Sequence, residues 1–236
     1  MGFIQDMVAM FKKRELLFLS SSKEADDVYT FIFEKDKDLN WQAGQYGLFS
    51  ITHKKVKNPT KPFSIASAPA ENMIRLTMRI GDNPSEFKKA MLELKQGMTV
   101  KMSGPVGAFS IQDNSPSLLI AGGIGITPIR SILKQIEAEG NRNGRQIQLL
   151  YLDSQKSFPY REELDAIAGR VSIRITYLDS RDDLNGEIDK FAGVHKDSGK
   201  YFVAGPKPLV DSISDNLQKK QIPKGNIKKD AFFGYS

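Results

Sequence analysis

Two textures of hydrophobic patterning divide the chain. From residue 15 to 112, short apolar runs alternate with turns: ELLFLSSS, VYTFIF, GQYGLFSI, FSIASAP, MIRLTMRI and MTVKMSGP. A period of two is that of half-buried strands, and this close spacing predicts a small antiparallel β-barrel. One helical segment, Ser85–Leu94, interrupts the strands, with Ser85 as its N-cap and Lys88 and Lys89 on the wet face. From Ser117 the pattern becomes strand–helix alternation. SLLIAG, IQLLYLD, VSIRITYL and KYFVAGP read as strands, and Pro128–Glu139, Tyr160–Ala168 and Pro208–Gln218 as helices. That alternation predicts an α/β domain whose parallel sheet is covered on both faces. The polar, turn-rich QDNSP at 112–116 marks the joint. Two domains are therefore expected: residues 1–113, an N-terminal segment plus the barrel, and residues 114–236, the α/β domain.

Composition narrows the chemistry. The 236 residues include no cysteine and only two histidines, His53 and His195. Disulfides, thiol catalysis and a cysteine-ligated iron–sulfur cluster are excluded within this chain, and a histidine-rich metal site is not expected. No apolar run reaches the roughly 20 residues that span a bilayer. The apolar start is broken by Asp6 and by the Lys12-Lys13-Arg14 cluster, which follows the apolar stretch where a signal peptide would precede it. The expectation is a cytoplasmic protein, with residues 1–12 forming a short helix packed on the body. The formal net charge is +6, but no nucleic-acid reading motif or aromatic platform accompanies it.

The densest chemical signal is LLIAGGIGITPIRSIL, residues 118–133. A buried strand runs into Gly122, Gly123 and Gly125, then Thr127 and Pro128, then an apolar-periodic helix. Glycines let backbone approach a bulky anion and adopt positive φ, and the amides and dipole at a helix start favour a pyrophosphate. Proline suits the first helical turn, where its missing N–H has no partner to lose.

A second motif, Lys61-Pro62-Phe63-Ser64-Ile65-Ala66-Ser67, lies in the barrel half. Together with the glycine turn it resembles the ferredoxin–NADP reductase superfamily, in its single-chain form. The likeness runs in order through AGQYGLF (43–49), KPFSIASAP (61–69), GDNPSEF (81–87), KMSGPVGAF (101–109), AGGIGITPIRSIL (121–133), REEL (161–164), YFVAGPKPLV (201–210) and DAFFGYS (230–236).

The resemblance implies a flavin-binding barrel joined to a nicotinamide-dinucleotide domain. Ser64 then lies beside the flavin N5 as the catalytic hydroxyl, Phe63 packs along the isoalloxazine, and Lys61-Pro62 precede them. The family arginine is Lys61 here, which keeps the charge but loses the bidentate fork. Phe63 stands where tyrosine is commoner, and ordinary barrel core is its plain alternative. Ser85 matches a second phosphate-contact motif, with simple N-capping as its alternative. FAD is the usual flavin of the family; some oxygenase reductases use FMN. Gly122, Gly123, Gly125, Thr127 and Pro128 would hold the dinucleotide pyrophosphate. Ala204-Gly205-Pro206 matches the family's Cys-Gly-Pro turn near the nicotinamide, with alanine replacing cysteine.

Coenzyme choice turns on Asp179-Ser180-Arg181. The resemblance assigns Ser180 and Arg181 to an adenosine 2′-phosphate and so favours NADPH, with NADH the other candidate. Asp179 and Asp153 place negative charge nearby, and a solvated charged loop, SRDD, is the alternative. In the tail, Phe233 and Tyr235 are candidates for the ring that covers the flavin, with packing elsewhere as the alternative.

The implied function is hydride transfer from NAD(P)H to FAD and onward electron delivery to a separate acceptor, such as a ferredoxin or flavodoxin. The basic cluster His53-Lys54-Lys55, Lys57 and Lys61 would steer an acidic carrier, or is merely solvated. Two alternatives stay open: a free-flavin or ferric-chelate reductase, and a flavin-bound regulatory subunit of a larger complex.

Overall fold

A computed structural model describes residue 10, residues 12–141 and residues 144–232. The chain divides into two units, the first ending at Ser110 and the second beginning at Ile111. Each is described by itself. The expected N-terminal helix falls almost entirely outside the described residues.

The first unit is built from β1 (Lys13–Ala25), β2 (Val28–Glu34), β3 (Tyr46–Ile51), β4 (Thr60–Ser64), β5 (Met73–Arg79) and β6 (Thr99–Val106), with one helix, α1 (Glu86–Leu92). They form one antiparallel sheet in the order β4-β3-β6-β1-β2-β5. Alternation along each strand turns Leu16, Phe18, Phe31, Phe33, Phe49, Ile74, Leu76 and Met102 into one core. The chain beyond β4 curls back onto the far edge. Ala66 N donates to Arg75 O at 2.9 Å, and the Ser67 hydroxyl donates to Met73 O at 2.7 Å while accepting from Arg75 N at 3.0 Å. These bonds join the two ends of the sheet and make it barrel-like.

The strand expected at 63–69 is thus shorter and earlier, at Thr60–Ser64. Pro62 fits because β4 is an edge strand, where a missing N–H costs no ladder bond. Helix α1 buries Phe87, Ala90 and Met91.

The second unit carries β7 (Ser117–Gly122), β8 (Ile147–Leu152), β9 (Arg174–Leu178), β10 (Lys200–Pro206) and β11 (Ile227–Phe232). All pair in parallel, in the order β11-β10-β7-β8-β9. The helices are α2 (Ile126–Glu139), α3 (Arg161–Val171), α4 (Arg181–His195) and α5 (Lys207–Lys219). Every residue of β7 is buried, as a central strand covered on both sides requires. Leu184, Ile188 and Phe191 of α4 and Leu209, Val210, Ile213 and Leu217 of α5 pack with Leu118, Ile120, Leu150 and Val203. The alternate side chains, Leu119, Leu149 and Phe202, point to the opposite face, and α2 lies against β7 and β10 with Ile129, Ile132, Leu133 and Ile136 buried.

Two elements differ from the sequence expectation. SRDD is not a loop: Ser180 caps α4, and Arg181, Asp182 and Asp183 form its first turn. Residues 227–232, to which the sequence pattern assigns no element, form the edge strand β11. Among the described residues, no helix is long and apolar enough to cross a membrane.

Candidate functional site

The strand order puts the switch in winding direction between β7 and β10, since the chain proceeds from β7 toward β9 on one side and through β10 to β11 on the other. Ligands of open α/β sheets lie outside the carboxyl ends of strands at that crevice. The glycine turn ends β7, and Ala204-Gly205-Pro206 ends β10, so the two motifs meet there.

They meet backbone to backbone. A Cβ on Gly125 would fall 2.5 Å from the Ala204 carbonyl carbon and 2.7 Å from Gly205 N. A Cβ on Gly122 would overlap the Leu209 side chain, and one on Gly205 would lie 3.0 Å from Gly122 O. Close packing between strand ends therefore accounts for Gly125, and the Leu209 side chain of α5 for Gly122. Gly123 is different: its φ is +51°, and the nearest atom to a Cβ there is Asp153 Oδ2 at 3.9 Å. Its face is the open one. Residues 123–125 make a single 3-10 turn that leads into α2, which starts two residues before the expected Pro128. Thr127 is buried and its hydroxyl donates to Ile124 O at 3.1 Å, so its side chain braces the turn.

Around this centre, the loops after β8 and β9 are tied together. Asp153 is 5% exposed and accepts from Gln155 N at 2.9 Å; its own amide donates to Leu178 O at 3.0 Å. The loop that follows holds three non-glycine residues at positive φ: Lys156, Phe158 and Tyr160. Lys156 Nζ reaches Asp179 Oδ2 at 2.6 Å. That contact holds the Asp179 carboxyl below its ordinary pKa and lifts that of Lys156.

Ser180 is occupied by its own helix. The hydroxyl accepts from Asp183 N at 3.1 Å and donates to Asp183 Oδ2 at 2.7 Å. Arg181 stands exposed at the head of α4. On β9, the Tyr177 hydroxyl donates to Asp165 Oδ1 at 2.7 Å, and the Arg161 guanidinium lies over its ring at 4.4 Å. Burial first, then Asp165, pushes the Tyr177 pKa up.

REEL also acquires a role. Glu163 of α3 takes Arg130 Nε at 2.8 Å and Nη2 at 2.6 Å. Arg130, 1% exposed on α2, lies 5.0 Å from the centre of the Tyr160 ring. This bidentate clamp fixes the helix that follows the glycine turn against α3. Nothing in the sequence reading singled out Arg130; its signal is a charge in the middle of an otherwise apolar helix face.

In the barrel unit, β4 places Lys61 opposite Phe49 and Ser64 opposite Tyr46. Phe63 stacks on Phe87 of α1, with ring centres 5.4 Å apart and planes at 28°, and meets Phe49 edge-on. Ser64 is 7% exposed, at the end of the strand. Ser85 caps α1, accepting from Lys88 N at 3.4 Å. Lys61, a half-buried residue, brings a charge that suits a flavin phosphate, while the Phe63 ring packs against the barrel core through Phe49 and Phe87. The basic cluster is partly neutralised. Lys54 Nζ lies 2.8 Å from both Glu93 carboxylate oxygens, and the hydrogen bond keeps the Glu93 pKa low. Lys55 and Lys57 remain exposed. Phe233 and Tyr235 lie outside the described residues.

Known proteins match both units. Residues 10–121 match an FAD-binding domain family, and residues 119–215 an oxidoreductase NAD-binding domain family. The ferredoxin reductase component of 3-ketosteroid-9-alpha-monooxygenase from Rhodococcus rhodochrous is 24% identical over 221 residues, covering 89% of this chain and 62% of that protein. The reductase component DmpP of phenol 2-monooxygenase from Pseudomonas sp. (strain CF600) is 25% identical over 84% of this chain and 59% of its own length. The chain thus spans about three-fifths of these curated relatives. In fold, it is similar to the ferredoxin-NADP+ reductase of Plasmodium falciparum, with a TM-score of 0.80 at 17% identity over 93% of this chain and 96% of that one. It is also similar to the flavohem-like FAD/NAD binding domain of nitric oxide dioxygenase from Vibrio cholerae, with a TM-score of 0.75 at 19% identity over 93% and 98%.

Proposed function

Because this chain belongs to the ferredoxin–NADP reductase superfamily, we propose that it is a reductase that draws electrons from a nicotinamide dinucleotide through FAD and delivers them to a separate acceptor. The observation that carries the reading is the meeting of the Gly122–Gly125 turn with Ala204-Gly205 at the switch point of the sheet, where Gly125 and Gly205 bring main chain against main chain. Relatives named as reductase components of oxygenases support the onward transfer. A carrier protein or an oxygenase component is the proposed acceptor, with acidic character to match exposed Lys55 and Lys57.

A bound flavin would supply the hydride-accepting group for the nicotinamide and the means of releasing electrons singly or in pairs. The work of this chain is binding, orientation and exclusion of water. Lys61, with Pro62 fixing the edge strand and Ser85 heading α1, would hold the flavin phosphates; Phe63 would line its ring. Ser64 would hydrogen-bond at N5, donating to it or accepting from it. Gly123 and the amides of the turn before α2 would seat the dinucleotide pyrophosphate, with Thr127 and Pro128 fixing the turn. Ala204, Gly205 and Pro206 would line the nicotinamide.

Stopped-flow mixing of the flavin-loaded protein with NADH and with NADPH tests the reading. Rapid bleaching by at least one is expected, slowed about tenfold in Ser64→Ala, the effect of one hydrogen bond of about 1.4 kcal/mol. Absence of bleaching with both would remove the reductase reading.

A further inference from the structure

Resting on that reading, we infer that the Arg130–Glu163 pair is a positioning device for the dinucleotide: it aligns the glycine turn with the loop facing it, and so sets the affinity of the site. Helices α2 and α3 follow two neighbouring parallel strands, β7 and β8. Arg130 lies one turn into α2 and Glu163 in the first turn of α3, joined by two bonds at 2.8 and 2.6 Å. The same guanidinium lies 5.0 Å from the ring centre of Tyr160, the N-cap of α3. Tyr160, at a φ of +67°, ends the loop that begins at Asp153, whose carboxylate borders the open face of Gly123. One side chain, on the helix that the glycine turn leads into, therefore holds the end of the facing loop.

Register is what such a clamp fixes. Seven residues on from Arg130, Glu137 of α2 meets Arg170 of α3 at 2.5 Å, and Arg170 lies seven residues on from Glu163. Two bridges of opposite polarity, about two turns apart on each helix, admit one alignment. Sliding one helix by that distance would bring Arg130 to Arg170, or Glu137 to Glu163, and like charges repel. The outer bridge is open to water at Arg170, where such a pair contributes little. The inner one is not: Arg130 is fully buried, and its neighbours Ile129, Ile132, Leu133 and Ile136 are buried and apolar. An apolar side chain there would serve stability equally. What the ion pair adds is direction, because a planar fork takes a carboxylate in one geometry. The amides before α2 grip an anion only as well as they are aimed at it.

Calorimetric titration of the flavin-loaded protein with NAD+ and with NADP+ tests the inference, beside urea unfolding and stopped-flow bleaching. Arg130→Met with Glu163→Leu removes the fork and leaves no buried charge. This variant should unfold near the parent's urea midpoint, yet bind the parent's preferred nucleotide about tenfold more weakly. Glu163→Gln is nearly isosteric and keeps one acceptor, so it should weaken binding about threefold. In both, the half-saturating concentration for bleaching should rise while the limiting rate stays within about twofold, because the pair aims the pyrophosphate turn and not the reacting carbon. Arg170→Ala opens only the outer bridge and should change affinity less than about twofold. Parent-like affinity in the double variant and in Glu163→Gln overturns the inference, as does a loss no larger than that of Arg170→Ala. Glu163→Gln decides alone if the double variant does not fold. A parent that binds a dinucleotide without bleaching sinks the reductase reading alone, and a bleaching parent with parent-like variants sinks the inference alone. Binding of neither nucleotide by the parent overturns both.

Discussion

Gly125 stands so close to Ala204 that a side chain on the glycine would sit 2.5 Å from the alanine carbonyl carbon. Atoms of two backbones cannot rotate out of each other's way. Gly125→Ala should therefore cost about 3 kcal/mol or more, the upper end for overpacking. Gly123→Ala meets no clash and should cost only the left-handed strain of about 1–2 kcal/mol. Thermal unfolding is expected to rank the two variants in that order. Dinucleotide titration should show Gly123→Ala losing affinity although its fold survives, because a methyl group there covers the open face.

Glu163→Ala removes the bidentate partner of the Arg130 guanidinium, which is 1% exposed. Removing one partner of a buried pair typically costs about 3–5 kcal/mol, and the partial exposure of Glu163 brings the expectation here to about 3 kcal/mol. Urea denaturation measures it. Replacing both residues by apolar ones of similar size, Arg130→Met with Glu163→Leu, should recover most of the loss, because no buried charge then remains.

Stability should fall at both ends of the pH scale, for different groups. The Asp113 carboxyl is held below its ordinary pKa by the Ser115 amide and side chain, and Glu137 by Lys134 and Arg170, which outweigh its burial. A depressed carboxylate stabilises the fold above the unfolded pKa, and this is lost as pH falls through the folded value, from about pH 5 downward. Burial pushes the Tyr201 hydroxyl up to about 12. The unfolded chain ionises first, near pH 10, so stability drops as pH rises from there toward 12. Urea midpoints across both ranges check this. Tyr201→Phe should flatten part of the alkaline arm, at the loss of the bond to Lys196 O.

Lys55→Glu with Lys57→Glu should slow electron delivery to an acidic carrier and weaken its dependence on salt. The flavin-bleaching step should be unchanged, since neither residue is assigned to the flavin or the dinucleotide. A rate that ignores both the substitutions and the ionic strength would move the acceptor to another surface or to a small molecule.

The alternation of Leu16 and Phe18, of Phe31 and Phe33, and the unbroken apolar run of β7 made both domains legible, because period and length alone decide such elements. Helix α4 was not legible in the same way. Its charged opening reads as solvent, yet Ser180 three residues before Asp183, with Leu184, Ile188 and Phe191 on one face, carries the signal of a capped amphipathic helix. Strand β11 offers Ile227 as its single fully buried apolar residue, beside Lys228, Lys229 and Asp230, so pattern could not find it. At the site, the glycines were visible but their division of labour was not. Whether a glycine faces an anion or another backbone depends on Ala204, some eighty residues away in the chain. That contact exists only after the sheet has formed.

The dual employment of Ser180 has a consequence for descent and for engineering alike. A residue whose hydroxyl both accepts from and donates to the first turn of a fifteen-residue helix cannot drift freely, since a substitution must replace both bonds. The neighbouring exposed pair, Asp179 and Lys156, is the less constrained place for change. Divergence along this edge should therefore gather at that pair while the cap stays put.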